Sequence, residues 1–383
     1  MNIVWINKIA SKEYWGTTQF GLSEGLRKRG HNVMLVMTKD IGENKPTKDV
    51  IYLPTIPFPI LSGLFFGLSL LFYFPFFIRK KNPDIFIVDG TSVWLPFAFT
   101  LKLFDIPLLV DIRTLPTKNR RTLLFDICIH LSKCMADGLT TITPELEKIL
   151  RKEYGIQDKK IGIWPSGVST KDFFTSYADN NVNGQTDSNK FVLIHHGSYE
   201  YTRGVRNLIT SIGELDVSIR KRIKLLIIGV HAEDQKEFLS LCDEVGVKEQ
   251  VEIMPGIEYE RIPSYIQSSD VGIIPLSPDT ECWQVSVPLK TLEYLAMGKP
   301  IVATSIPFHK KIFEKGKCGI LIDANDPKTL ANAITYLYQN REELDVMGKT
   351  GTKVVKNHYT WDNIAIDVEK FIKNILVDFR DES

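Results

Sequence analysis

Three stretches of this 383-residue sequence carry side chains whose types and spacing could do chemistry. In Ser286-Val-Pro-Leu-Lys-Thr-Leu-Glu293, a helix begun at Pro288 would show the Lys290 cation and the Glu293 carboxylate on one face, a turn apart. At the carboxyl end of a strand, such a cation can meet a diphosphate, and the carboxylate can accept hydrogen bonds from a ribose diol. A surface ion pair is the plainer alternative, but it explains the pair and not its position. In Phe191-Val-Leu-Ile-His-His-Gly-Ser198 a strand runs into Gly197, and Arg203-Gly204 then open a helix. Backbone N–H groups at a helix N-terminus beside a guanidinium make an anion site. An ordinary strand-to-helix turn with an exposed arginine fits equally well. His195 and His196 are neighbours, so on a strand they point to opposite faces and do not form a metal pair. In Val110-Asp-Ile-Arg-Thr-Leu-Pro116 the strand end should project Asp111 and Arg113, unless the two only salt-bridge the start of a loop. Gly16 and Thr17 follow the first strand, where small residues let backbone approach a phosphate.

Groups placed this way need parallel strands whose carboxyl ends collect in one region. Short apolar runs at Ile3–Ile6, Val33–Val36, Val50–Leu53, Ile85–Val88, Leu108–Val110, Leu139–Ile142 and Ile161–Trp164 alternate with helical stretches, the pattern of a doubly wound α/β domain. A polar stretch, Tyr177 to Lys190, nearly lacks apolar residues and reads as a linker or exposed loop. The alternation then restarts with Phe191–His195, Lys224–Ile228, Val251–Met254, Val271–Ile274, Ile301–Ala303 and Gly319–Ile322. The spacing of Ile364, Ile366, Val368, Phe371, Ile372, Ile375 and Leu376 predicts an amphipathic helix. The expected organisation is an N-terminal domain over 1–168, a linker over 169–190, and a C-terminal domain over 191–357. The helix over 361–379 is expected to pack back on the first domain. Two such domains put a cleft between two sets of strand carboxyl ends, where sheets of this kind bind ligands.

Composition narrows the class. Hydrophobic residues at 44% and charged residues at 24% are ordinary for a soluble globular chain. A net charge of +1 lacks the basic excess usual in nucleic-acid binders, so no nucleic-acid partner is expected. The balance conceals an asymmetry: residues 1–165 hold 22 basic and 15 acidic side chains, the remainder 25 and 31. Five cysteines without a C-x-x-C pair fit neither a disulfide framework nor a thiolate zinc site, which points to a reducing cytoplasm. The apolar N-terminal run has no basic leader and is not read as a signal peptide.

The loudest signal is Ile56 to Ile78, 23 positions without a charge and with eight aromatics, followed by Arg79-Lys80-Lys81. From Ile60 a helix would run about 28 Å, near the thickness of the hydrocarbon core. One crossing would separate two strands expected in one sheet, and two crossings would need about 40 apolar residues. The segment over 56–81 is therefore expected to lie in the interface at the inner face of the membrane, its cations against anionic headgroups and Leu64, Phe66 and Leu70 toward lipid. A helix buried against the sheet is the alternative.

Taken together, Gly16-Thr-Thr, Gly30-His-Asn-Val33, Ile163-Trp-Pro-Ser-Gly-Val168, the Gly197 to Gly204 loop, Val251-Glu-Ile-Met-Pro-Gly256 and Glu293-Tyr-Leu-Ala-Met-Gly-Lys-Pro300 resemble retaining glycosyltransferases of family 4 over nearly the whole chain. The resemblance implies the GT-B fold, two Rossmann-like doubly wound domains facing across a cleft, with a nucleotide-sugar held by the second domain and the acceptor by the first. It places Glu293 on the ribose hydroxyls and Arg203 on the phosphates, where the family usually has a lysine. Gly256 and Ile257 fall where backbone meets the base. Gly16, Thr17, Gly197, Ser198, Ser286, Pro288 and Leu289 complete the donor contacts. Two departures follow. The family often carries a second glutamate eight residues before the ribose one, but position 285 is Val, leaving Glu281 as a possible donor-sugar contact. Its phosphate-binding arginine is replaced by Ser198, and Lys290 is the expected substitute.

The sequence thus predicts a retaining, metal-independent transferase with no cofactor, since no Asp-x-Asp motif supplies a cation site. A sugar would pass from a UDP- or GDP-sugar to a lipid-linked or glycan acceptor. Arg203 and Lys290 would meet leaving-group charge, Asp111 and Arg113 would stand close to the transferred sugar, and Asp111 would orient or polarise the acceptor hydroxyl. A sugar-nucleotide epimerase of the same architecture and a non-catalytic partner subunit are the rivals.

Overall fold

Each of the thirteen apolar runs forms a strand. The computed structural model describes residues 1–10, 17–38, 49–54, 59–90, 95–115, 123–174, 190–197 and 204–382. The chain divides into two compact units, Met1–Gly167 with Trp361–Ser383, and Val168–Thr360.

In the first unit, strands β1 (Asn2–Ala10), β2 (Asn32–Thr38), β3 (Val50–Leu53), β4 (Ile85–Asp89), β5 (Leu108–Ile112), β6 (Gly138–Thr141) and β7 (Ile161–Ile163) form one parallel sheet in the order β3-β2-β1-β4-β5-β6-β7. Burial on both faces explains why these strands read as unbroken apolar runs. The order reverses between β1 and β4, which puts a ligand-binding crevice outside their carboxyl ends. The helix Trp361–Glu382 packs on this unit. A Cβ on Gly21, in the helix Thr17–Lys28, would stand 2.2 Å from the Trp361 indole nitrogen, and one on Gly162 would stand 2.8 Å from the Phe371 ring. Both glycines are seats for aromatic side chains of the returning helix. Glu369 on that helix takes Lys373 at 2.6 Å and the Arg29 guanidinium, and these hydrogen-bonded cations hold its carboxyl down to about 2; His31 Nε2 lies 3.2 Å away.

The apolar segment becomes the helix Pro59–Phe76, continued by a π-helical turn, Phe77–Lys81, that ends at Asn82 in the left-handed conformation. Phe66, Leu70 and Phe74, four residues apart, are buried, and Phe74 meets Phe97 at 5.7 Å between ring centroids. Phe66 and Leu70, expected toward lipid, are core residues. The side chain of Leu64 lies outside the described ones. The opposite face is not covered: Phe65 and Leu68 are exposed, and Phe72 is 83% exposed. Leu103 and Phe104 at the end of the helix Leu95–Leu103, and Leu123 and Ile127 on the helix Leu123–Met135, are exposed as well. Among the described residues no helix is long and apolar enough to cross a membrane.

In the second unit β8 (Phe191–His196), β9 (Ile223–Ile228), β10 (Val251–Met254), β11 (Val271–Ile274), β12 (Ile301–Thr304) and β13 (Gly319–Ile322) form a second parallel sheet, ordered β10-β9-β8-β11-β12-β13. Its order reverses between β8 and β11. A core of aliphatic side chains with Phe191 and Phe238 fills one face.

Candidate active site

Strand β8 ends in two histidines and a glycine, and the chain re-enters the described structure at Gly204, which caps the helix Val205–Glu214 at φ +73°. That left-handed conformation suits glycine, and a Cβ there would stand 1.9 Å from the Pro275 carbonyl after β11. The turn is therefore packed tightly onto the crevice of the second sheet.

The helix Leu289–Ala296 starts after Pro288 and is buried from Lys290 onward. Lys290 reaches back to the β8 turn, where a Cβ on Gly197 would stand 3.3 Å from its Nζ. Its ammonium also lies 3.4 Å from His195 Nε2, while His195 Nδ1 is 2.9 Å from the Ile273 carbonyl. A carbonyl only accepts, so the ring proton sits on Nδ1, and Nε2 receives the Lys290 N–H. One turn on, Glu293 is 2% exposed. Tyr259 donates its hydroxyl to Oε1 at 2.7 Å, and His196 Nε2 stands 3.1 Å from Oε2, out of line for a hydrogen bond. Burial, with Glu293 beside it, pushes the Tyr259 phenol well above its ordinary value, so the phenol keeps its proton and remains a donor. The Tyr294 hydroxyl accepts the His196 backbone N–H at 3.0 Å. Beneath the helix, His309 Nδ1 meets the Thr304 carbonyl at 2.7 Å and Nε2 lies 2.9 Å from the Thr291 hydroxyl; burial lowers His309 to about 4. These contacts fix the helix against the strands with a cation and a carboxylate at its first turns.

In this unit Gly197, Lys290 and Glu293 come together around the ends of β8 and β11. Ser286, Pro288 and Leu289 lead into the same helix, with Ser286 bonded back to the Cys282 carbonyl. Gly256 and Ile257 follow β10, two residues before Tyr259. Glu281 opens a short helix, Glu281–Gln284, and is exposed, while Val285 is buried. Ser198, Arg203 and Gly16 lie outside the described residues. Thr17 is described only by its main chain, as the first residue of the helix Thr17–Lys28.

The first unit gathers its polar groups at the carboxyl ends of β1, β4 and β5. Asp111 is 1% exposed; Thr140 donates to its Oδ1 at 2.8 Å, and Arg113 Nη1 stands 3.7 Å from its Oδ2. Arg113 lies over the Trp164 ring at 4.1 Å and donates to the Ser166 hydroxyl at 3.1 Å. Trp5 meets Trp164 edge-on and points its indole N–H at Asp89 Oδ1, 3.4 Å away. Desolvation raises Asp111 and lowers Arg113, as expected for an ion pair held out of water, and raises Asp89 well above the ordinary aspartate range with help from the Asp111 charge. Among the described residues, Asp111 Oδ2, Arg113 Nη1 and Gln19 Oε1 are buried and find no hydrogen-bond partner. Among the described residues, no group of three or more His, Cys, Asp or Glu is placed to hold a metal.

Sequence reasoning gave no role to Asp89, Tyr259 or His196 toward Glu293, or Trp164. Asp89 carried a usable signal: it ends β4 as Asp111 nears the end of β5, and the two are paired in register. Tyr259 had none, since its link to Glu293 spans 34 residues of sequence.

Comparison with known proteins adds the family. Residues 16–172 match the family described as Glycosyltransferase Family 4, and residues 178–354 match Glycosyl transferases group 1. The D-inositol 3-phosphate glycosyltransferase of Paenarthrobacter aurescens is 24% identical over 244 residues, 62% of this chain and 57% of its own length. The chain therefore matches little more than half of that relative. Among solved structures, sucrose-phosphate synthase from Thermosynechococcus elongatus superposes with a TM-score of 0.80 at 17% identity, covering 98% of this chain and 99% of that one. Anabaena HepE in complex with UDP superposes with a TM-score of 0.76 at 14% identity, covering 98% and 100%. At such identities the likeness speaks for the fold. Two family matches that succeed one another along most of the chain, on two parallel α/β sheets superposable on these structures, show that it belongs to the family 4 glycosyltransferases and has the GT-B fold.

Proposed function

We propose that this protein is a retaining, metal-independent glycosyltransferase that moves a sugar from a UDP- or GDP-sugar to a lipid-linked acceptor at the cytoplasmic face of the membrane, in cell-surface glycan synthesis. The observation that carries the donor half is the seating of Lys290 and Glu293 one turn apart, with the Lys290 ammonium at the Gly197 turn. Glu293 retains lone pairs beyond the one taken by Tyr259 and takes the ribose diol. Lys290, with Arg203 from the loop before Gly204, meets the charge that grows on the departing diphosphate. Gly256 and Ile257 take the base, and Glu281 faces the donor sugar. The HepE complex with UDP supports a nucleotide donor.

In the transfer, the bond from the anomeric carbon to the diphosphate oxygen breaks as the bond to the acceptor oxygen forms on the same face. The hydroxyl proton passes to the leaving phosphate. Asp111 and Arg113 orient the reacting groups without becoming covalently bound. No divalent ion is assigned, because protein cations meet the phosphate charge.

The acceptor half is supported by the uncovered apolar face of Pro59–Phe76, with exposed Arg79 and Lys80 at the end of the following turn. An apolar strip flanked by cations suits the interface of an anionic leaflet. The test is incubation with UDP- and GDP-sugars and a membrane lipid extract in the presence of EDTA, with the product's anomeric configuration read by NMR. Transfer with retention is expected. A changed donor epimer, or no turnover at all, would overturn the proposal.

A further inference from the structure

The carboxyl edge of the first sheet holds two aspartates that differ in what they touch. Asp111 is enclosed: its side chain has no exposed area, one oxygen takes Thr140, and the other faces Arg113. Asp89 ends β4 next to β1, at the point where the strand order reverses, and keeps partial exposure. Its inner side is held by the Trp5 indole N–H and the Gln19 amide. Trp5 is wholly buried and locked edge-on against Trp164, so it sets the carboxylate rather than following it. Among the described residues, Gln19 Oε1 beside this seat is buried with no hydrogen-bond partner, while Asp111 Oδ2 and Arg113 Nη1, also without a hydrogen bond, face each other as an ion pair at 3.7 Å. A buried group such as Gln19 Oε1 is normally satisfied, and at a crevice, beside a partly exposed carboxylate, it marks a place where a polar ligand completes the bonding.

We propose that Asp89 is the carboxylate of the first unit that accepts a hydrogen bond from a hydroxyl of an uncharged sugar, and that Asp111 acts through Arg113 as a positioning residue. The inference rests on the transferase reading above and names its ligand more closely. Two carboxylates set against one guanidinium disfavour a phosphorylated or carboxylated group at this edge, whereas a sugar hydroxyl donates to Asp89 and can accept from Arg113. Both acceptor and donor carry hydroxyls, and the kinetic arms below separate them. Among the described residues, the charged groups that act on Asp89 are Asp111 and Arg113; Trp5 and Gln19 are its neutral hydrogen-bond partners. A protonated Asp89 loses the acceptor role, so transfer should fall on the acid side at a pH above that of an ordinary aspartate.

The test compares wild type with Asp89→Asn, Asp89→Glu and Asp111→Asn, measuring transfer from UDP-glucose and GDP-mannose to a membrane lipid extract across pH, with the UDP Kd as the control. Asp89→Asn should cut transfer at least 100-fold with the UDP Kd within twofold, and Asp89→Glu should recover part of the loss. Desolvation is the main cause that raises Asp89, and Asp111→Asn removes the charge that adds to it, so this variant should move the acid limb to lower pH. A KM rise confined to the lipid assigns the hydroxyl to the acceptor, and one confined to the nucleotide-sugar assigns it to the donor; either supports the proposal. Transfer by Asp89→Asn within threefold of wild type would overturn it while the transferase reading stands. A wild type that binds UDP but transfers nothing would remove both.

Discussion

At the scale of single residues, Glu293 and Lys290 divide the proposed donor between a neutral diol and an anion, and their variants should fail differently. Glu293→Gln keeps the shape but weakens a charged hydrogen bond worth about 1.5–3 kcal/mol, so UDP affinity should fall roughly tenfold or more in a folded protein. Tyr259→Phe removes the donor on Glu293 Oε1 and should produce a milder loss in the same direction. Calorimetric titration with UDP checks both; unchanged affinity in Glu293→Gln would take the residue out of the site. Lys290→Ala should instead lower kcat by orders of magnitude, because it removes charge stabilisation that is greatest in the transition state. An effect under tenfold would leave Lys290 as a structural partner of His195. The Lys290–Glu293 pair was readable in the sequence because one helix turn places both. The hydrogen bond from Tyr259 to Glu293 was not, because the fold alone brings those residues together.

At the scale of elements, the strands were legible because burial on both faces turns each into a continuous apolar run, and the helix Trp361–Glu382 was legible because it keeps a polar side. The helix Pro59–Phe76 shows where that logic stops. With apolar side chains all round, periodicity has nothing to separate, and the face toward the sheet could not be told from the face away from it. The structure separates them: Phe66, Leu70 and Phe74 inward, Phe65, Leu68 and Phe72 outward. Leu68→Asp with Phe72→Asp should therefore release the protein from vesicles containing phosphatidylglycerol without lowering its melting temperature. Phe66→Ala should cost about 3–5 kcal/mol of stability and reveal nothing about lipid. Co-sedimentation with vesicles and thermal melts distinguish the two. Retained vesicle binding by the doubly charged variant would place the membrane surface elsewhere.

At the scale of the whole molecule, stability should depend on pH through groups of opposite sign. Glu369 is held at about 2 against an ordinary 4.5, so its cluster stabilises the first unit above pH 4.5 and loses that contribution as pH falls toward 2. Asp89 is raised above its ordinary 3.8, so its burial favours the folded state at low pH and costs stability once pH climbs past 3.8. Asp89→Asn should thus raise the melting temperature at pH 7 while Glu369→Gln lowers it, and the gap between the two variants should narrow in acid. Melts of both at pH 3.5 and pH 7 read this directly. Neither sign could be read from the sequence, since each depends on what the fold places around a carboxyl group. The return of the helix Trp361–Glu382 to the first sheet also sets an order of events at the ribosome. The first unit lacks its closing helix until the whole of the second unit has been translated, and at about 5–20 residues per second that interval is roughly 10–40 s. During it the seats at Gly21 and Gly162 stand open. The nascent chain therefore passes through a window in which a chaperone or the membrane itself can reach those surfaces, and the second unit, whose sequence is continuous, is positioned to finish folding first.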